Sequence, residues 1–360
     1  GKRVLKKDVI LDEETKRSVK DAANLVRDEF FRANGGKTKL DPWNNDELRN
    51  SSLRELWMKY GATDKEFETY IHYRGYNLLD DDVTAALWIA EGELYGAQLD
   101  KEQAYVKEGY EKVIQNMAQK SKCKIIKNTK VYAVKTHPNG KSRVVEFTGP
   151  GGDDSFTAGA VVMALPKDSA EEILKSTDGV SQERNAVLDN VKIMPLFKCF
   201  MEWKREPGKK QWWKEKGFTE GKSTTDSDLR QLHYYDNEDL LIYNSGSFAV
   251  KWNEAFEQDP MAAKKKIFNL IKEMHDDEDI PEPDWDSTIW KFWPNGSHKW
   301  RKGVDVKKAI NTYSVGNDKV VDDMTLYLCG DAFSTHQGWT MGCVETVNIC
   351  FDAMKRRHVI

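Results

Sequence analysis

Apolar residues recur every three to four positions from Leu11 through Phe31, with charged residues between them. That period predicts an amphipathic helix. The mainly helical texture runs from Asp8 to about Asn116 and is punctuated at Asp41-Pro-Trp and at Gly61. Asp80-Asp-Asp82 predicts a helix start ahead of Val83–Ala90, because short acidic side chains accept bonds from the first free N–H groups. Val106–Ala118 reads as a glycine turn that opens a short amphipathic helix. The period then changes. Cys123–Val134 gives two strand-like runs, and Arg143–Thr148 and Ser155–Pro166 are strands around the turn Gly149-Pro-Gly-Gly152. Further strands are predicted at Phe197–Trp203, Leu240–Ser245, Ser287–Phe292 and Leu326–Leu328, and helices at Met261–Met274 and Cys343–Lys355.

Composition narrows the class. The 360 residues exceed what one compact core usually holds, so two domains are expected. Hydrophobic content of 39% and charged content of 32% suit a globular protein. A net charge of -4 gives no footprint for nucleic acid, and no apolar run predicts a membrane helix. The five cysteines have no metal-ligand spacing, and their odd number argues against a full disulfide framework. They read as buried small apolar side chains. Of the twelve tryptophans, many fall between Trp203 and Trp300. Such rings build either a core or an aromatic-walled site.

The segment with the most chemistry is Leu326-Tyr-Leu-Cys-Gly-Asp-Ala-Phe-Ser-Thr-His-Gln-Gly-Trp-Thr-Met-Gly342. A buried strand would deliver the chain to a sheet edge. Gly330 would let the backbone approach a ligand closely, and the next helix would offer its N-terminal N–H groups to an anion or an electron-rich ring. His336 and His233 are weaker candidate bases, since a lone histidine is more often a satisfied surface or core residue.

This segment resembles the FAD-binding C-terminus of the flavin amine oxidase family, and its Gln-Gly-Trp form is most similar to microbial L-amino-acid oxidases. The resemblance implies that Gly330 and Asp331 hold the diphosphate and ribitol region. It places Gln337, Gly338, Trp339 and Thr340 along the isoalloxazine, with Trp339 as one wall of an aromatic cage. Gly109-Tyr110 is similar to the step before the second helix of the FAD domain. Val131 corresponds to a strand meeting the adenine, and Ala164-Leu-Pro166 to a strand end near the flavin. Pro195–Trp203 resembles the strand carrying a lysine that binds water at flavin N5, which assigns Lys198. Phe292–Trp300 resembles the segment supplying a further active-site aromatic, Trp300, with His298 ranked below it. Arg74, in His72-Tyr-Arg-Gly-Tyr76, is the first arginine to consider for a substrate carboxylate, since a guanidinium forks onto that group.

The implied fold is a two-domain α/β oxidoreductase. Residues 1–104 would be the helical part of the substrate domain and 105–190 part of a Rossmann-like FAD domain. Residues 191–320 would be a mixed-sheet substrate domain, and 321–360 the C-terminal part of the FAD domain. The implied reaction is oxidative deamination of an L-amino acid with O2 as electron acceptor, giving H2O2, a keto acid and ammonia. The alternatives are a monoamine or polyamine oxidase and a non-catalytic flavin-binding subunit. The family's opening strand–GxGxxG–helix unit has no counterpart in the sequence. A complementary N-terminal chain carrying that unit, made by processing or by a split gene, is therefore expected, within a hetero- and homo-oligomer.

Overall fold

The computed structural model describes residues 10–12, 17–36, 40–76, 81–90, 106–204, 208–219, 221–235, 239–316 and 324–359. Strands β1 (Ile10–Asp12) and β2 (Arg17–Ser18) form a small antiparallel ribbon ahead of helix α1 (Val19–Ala33). The expected helix over Leu11–Phe31 therefore begins only at Val19. Ser18 fixes the start, because its side chain and that of Asp21 cap each other's backbone in a capping box. The same device opens α3 and α4 below.

Helices α2 (Asp46–Asn50), α3 (Leu53–Lys59) and α4 (Asp64–Arg74) follow, with Ser52–Glu55 and Thr63–Glu66 as capping boxes. The helix expected over Val83–Ala90 is confined to 86–90, and Asp80 lies outside the described residues. Val83 instead pairs with Arg301, and the Thr84 and Ala85 amides donate to Trp300 O and Ser51 O.

Helix α5 (Tyr110–Lys120) opens on Gly109, whose φ of 85° is left-handed backbone. An antiparallel meander follows: β3 (Lys130–Thr136), β4 (Arg143–Gly149) and β5 (Gly152–Ala158). Two expectations fail here. No strand forms over 123–129, since among the described residues nothing supplies a ladder partner for it. The run Ser155–Pro166 is two strands, the end of β5 and the separate β6 (Val161–Ala164).

Helices α6 (Lys167–Leu174) and α7 (Gln182–Asp189) lead to β7 (Val191–Glu202). After the short α8 (Trp212–Glu215) come β8 (Gly221–Thr224), β9 (Gln231–Tyr234) and β10 (Asp239–Ser245). Helix α9 (Ser247–Gln258), which the apolar pattern did not disclose, precedes α10 (Pro260–His275), and β11 runs the full length Asp284–Trp300. Helix α11 (Val306–Val315), strand β12 (Leu326–Cys329) and helix α12 (Thr340–Arg356) complete the order.

The chain forms two compact units. The first comprises 1–41, 45–85 and 192–303, and the second 42–44, 86–191 and 304–360. The first is built on a five-stranded sheet in the order β11-β7-β10-β9-β8. One face of it, with Phe197, Cys199, Met201, Leu232, Tyr234, Leu240 and Ile242, is sealed by α9, α10 and the tryptophans Trp203, Trp212, Trp213 and Trp252. Most of the tryptophan-rich stretch is thus core. The second unit holds the meander and a two-stranded parallel sheet of β6 and β12. Arg184 is fully buried there and donates to Tyr313 O, Ser314 O and Leu326 O, tying the end of α11 to β12.

Among the described residues, several apolar surfaces of the second unit are exposed. Helix α5 buries none of its residues. Its stripe Tyr110, Ile114, Met117 is 57%, 54% and 64% exposed, whereas a surface helix ordinarily turns such a stripe inward. Ile125, Ile126 and Val162 are exposed as well, as are Met341, Val344, Val347 and Phe351 along one side of α12. The cysteines also depart from expectation. Cys199, Cys329 and Cys350 are buried, but Cys343 is half-buried and Cys123 exposed. Among the described residues no helix is long and apolar enough to cross a membrane, and no His, Cys, Asp and Glu group could hold a metal ion.

Candidate active site

The glycine–aspartate step lies in the second unit, at the end of β12. β12 pairs in parallel with β6, so Cys329 and Ala164 are register partners and both strands end at the same edge. Gly330 has φ 149°, and a Cβ there would meet Leu165 O at 2.9 Å, so only glycine lets the two strand ends lie this close. Thr346 braces it from α12, its hydroxyl oxygen accepting from Gly330 N at 3.0 Å. The loop beyond is fastened internally. Asp331 Oδ2 accepts from Gly338 N at 3.0 Å, and Gln337 Nε2 donates to Ala332 O at 2.6 Å. Ser334 Oγ donates to Asp331 O at 2.7 Å and accepts from His336 N at 3.1 Å. Gln337 is buried and its amide is spent on this loop. His336 is held by Glu345, Nδ1 to Oε2 at 3.1 Å, with Thr335 donating to the same carboxylate.

What this rigid loop offers outward is Trp339 and the start of α12. Trp339 is 53% exposed and is the N-cap of α12, with no side-chain bond closing the helix's first N–H groups. Thr340 Oγ1 lies 2.8 Å from the Tyr110 hydroxyl, which links the start of α12 to that of α5. Helix α5 likewise opens without a side-chain cap. The second unit therefore holds the linked starts of α5 and α12, a close-approach glycine and an exposed indole. These groups suit a phosphate-bearing cofactor with an aromatic ring system. Val131 is half-buried in β3 beside a register shift against β4, and Ala164 is exposed.

The other candidate surface is in the first unit, on the face of the five-stranded sheet away from the tryptophan core. Alternation sets its membership. Lys198 and Phe200 on β7 face Tyr243 and Leu241 on β10, then Gln231 and His233 on β9, then Thr224 and Lys222 on β8. Lys198 Nζ lies 5.3 Å from the Tyr243 ring centre. The rings of Tyr243 and Tyr76 meet edge-on at 5.8 Å, and Lys222 Nζ lies 4.7 Å from the Tyr76 ring. His233 Nε2 is 3.0 Å from Gln231 Oε1, and Gln231 Nε2 donates to Gly75 O at 2.8 Å. That second bond orients the amide, so His233 carries its proton on Nε2. Burial, then the charges of Lys222 and Lys198, push the imidazole down to about 4. It is neutral at pH 7. Burial, aided by Tyr76, pushes the Tyr243 hydroxyl up to about 12.

Helix α4 delivers Tyr76 to this face. It ends at Gly75, φ 71°, where a Cβ would meet Gln231 Cγ at 2.6 Å. Arg230, buried, donates to Ile71 O and contacts His72 Nδ1, placing a cation at the helix C-terminus.

Of the residues singled out in the sequence, the sheet face brings Lys198 and His233 together. Arg74 is elsewhere: it is exposed, with its guanidinium 6.0 Å from the Tyr70 ring. Trp300 is fully buried and His298 nearly so, so the Trp300 ring is packed inside the protein rather than forming an open wall. Tyr76, Lys222, Gln231 and Tyr243 were missed. The signal was present in Gln231-Leu-His-Tyr234, where polar and apolar residues alternate, and in Tyr243 between Ile242 and Asn244.

The model of the family described as flavin containing amine oxidoreductase matches residues 5–346. The chain belongs to this family. FAD is the cofactor of such flavin amine oxidoreductases, and the helix N-termini and Gly330 fit part of its binding site. Two solved structures of putrescine oxidase variants share the fold. One, the A394C-A396T-Q431G triple mutant from a redesign of cofactor binding, is 15% identical with a TM-score of 0.71, covering 98% of this chain and 78% of that one. The other, an A394C mutant, is 16% identical with a TM-score of 0.70, covering 96% and 76%. "Uncharacterized protein R188" of Acanthamoeba polyphaga mimivirus is 21% identical over 325 residues, 84% of this chain and 62% of that protein. The chain thus spans less than two thirds of the length of this relative.

Proposed function

We propose that this flavin amine oxidoreductase carries out the oxidative deamination of an L-amino acid. The observation that carries the reading is Lys198, half-buried beside Tyr243 on the polar and aromatic face of a sheet whose other face is core. Bound FAD supplies a two-electron acceptor that O2 reoxidises, yielding H2O2. The protein's part is positioning. In the second unit Trp339 offers an indole surface to the flavin; in the first, the neutral His233 adds no further positive charge to the sheet face and Lys198 is the residue to hold a water. A second reading, oxidation of a diamine, is favoured by the structural likeness to putrescine oxidase.

The uncovered stripe of α5, the unpaired stretch at Ile125 and Ile126, and Val162 on β6 support a further element of the reading. A strand–GxGxxG–helix unit from outside these 360 residues covers them and completes the FAD site, on a second chain within a hetero-oligomer. Denaturing intact-mass analysis of the yellow protein tests this. A single species with the mass of this chain and a full complement of FAD would refute it.

A peroxide-coupled assay over the twenty L-amino acids and common amines tests the reaction. Lys198→Met is expected to lower turnover about 100-fold with flavin content unchanged. Unchanged turnover removes Lys198 from the mechanism, and no peroxide from any substrate removes the oxidase reading.

A further inference from the structure

The sheet face carrying Lys198 has a charge pattern that speaks to the far end of the substrate. Lys198, Tyr243, Tyr76 and Lys222 form a row in which a cation, two rings and a second cation succeed one another. Lys198 stands on β7 and Lys222 on β8, at opposite ends of the run β7-β10-β9-β8. Three strand spacings across the sheet and a two-residue offset along it, roughly 16 Å in all, separate their backbones. With Lys198 marking the reacting end, Lys222 is too remote for a carboxylate on the reacting carbon. It is in range of a group several bonds away. Among the described residues, the charged groups acting on His233 between them are these two lysines. The Gln231 amide is aimed by its bond to Gly75 and holds both His233 and Lys222, the latter at 3.4 Å.

We infer that Lys222 is a specificity-determining residue that binds an anionic group at the end of the substrate remote from the reacting nitrogen, so that the enzyme prefers an ω-acidic amine or amino acid to a diamine. This rests on the oxidase reading above. The tyrosine pair between the lysines lines the path with apolar ring surface, which suits a short methylene chain. A diamine would set its second ammonium beside Lys222, and that repulsion is selective.

The pair putrescine and 4-aminobutyrate isolates the effect. They share four carbons and one amino group and differ in the charge of the remote end. The flavin-loaded enzyme is expected to oxidise 4-aminobutyrate, and L-glutamate over L-glutamine, with the higher kcat/KM. Lys222→Gln should lower kcat/KM for the acidic member of each pair roughly 30-fold or more, chiefly through KM, and change the amide or diamine member less than about threefold. Lys222→Arg should restore most of the loss. Calorimetric titration with glutarate provides a readout independent of turnover, with the same roughly 30-fold weakening in Lys222→Gln. A preference for putrescine, an equal loss on both members of a pair, or a loss produced by Arg74→Gln instead would overturn the assignment. If no substrate gives peroxide, the oxidase reading fails, and glutarate binding then decides alone: weakened in Lys222→Gln it supports the anionic slot, and unchanged it refutes it.

Discussion

Substituting alanine for Gly342 sets two physical effects against each other. The position is near the start of α12, and alanine is favoured over glycine inside a helix by about 1 kcal/mol. The packing argues the other way. A Cβ on Gly342 would lie 2.2 Å from Ser334 Oγ and 2.6 Å from His336 O. Neither neighbour is a flexible side-chain end. Ser334 Oγ is tied to Asp331 O and His336 N, and His336 is further held by Glu345. Relief therefore requires both moving the backbone at His336 and breaking the two bonds of the Ser334 hydroxyl. Overpacking of this kind costs about 1–3 kcal/mol, and two lost hydrogen bonds add about 1 kcal/mol each. After the helix-propensity gain, Gly342→Ala should destabilise the second unit by about 2–4 kcal/mol. Thermal or urea unfolding read by flavin release measures this. Ser334→Gly removes the nearest clashing atom, so the double variant should cost less than the sum of the two single ones. A neutral or stabilising Gly342→Ala, or strictly additive costs, would refute the description of the loop as rigidly braced.

Three further outcomes follow from other sites. Arg184→Met strips three buried carbonyls of a charged donor and should cost about 3–5 kcal/mol in urea unfolding, with loss of flavin. His233 has its folded value lowered to about 4, so the unfolded imidazole takes up a proton first as pH falls. The sheet should therefore lose stability between about pH 6.5 and 4, by roughly 1–2 kcal/mol after allowing for partial exposure, and His233→Gln should flatten that stretch of the pH–stability curve. The uncovered stripe of α5 should bind anilinonaphthalene sulfonate in the chain alone, and Tyr110→Glu with Met117→Glu should lower that fluorescence several-fold.

Legibility from sequence followed the range of the interactions. The Gly330–Gly342 segment was readable because its constraints are local: a strand, a glycine, a loop and a helix in one stretch. The capping boxes at Ser18, Ser52 and Thr63 are as local, four residues each, but periodicity takes no account of them and placed the start of α1 too early. The sheet face was not readable. Lys222, Gln231 and Tyr243 share a face only through strand register, and Tyr76 is brought there by the end of α4. Arg74 illustrates the converse. Its chemistry suited a carboxylate, but it is the last residue of α4 and is exposed, while Arg230 takes the buried position at the helix end. The stretch around Ile125 had the composition of a strand and lacked the neighbour that makes one.

The order in which the units are threaded has a consequence for biosynthesis. Among the described residues the ladder partner of β6 is β12, which lies some 165 positions further along the chain. The whole of β7 through β11 is translated between the two. A growing chain on the ribosome thus holds β6, with the Met163 that the fold buries, open until Leu326–Cys329 emerges. Such late closure of a parallel pair is slow and makes the nascent protein a natural client for a holding chaperone. Translation of an mRNA truncated before β12 should yield aggregate, not a smaller folded protein.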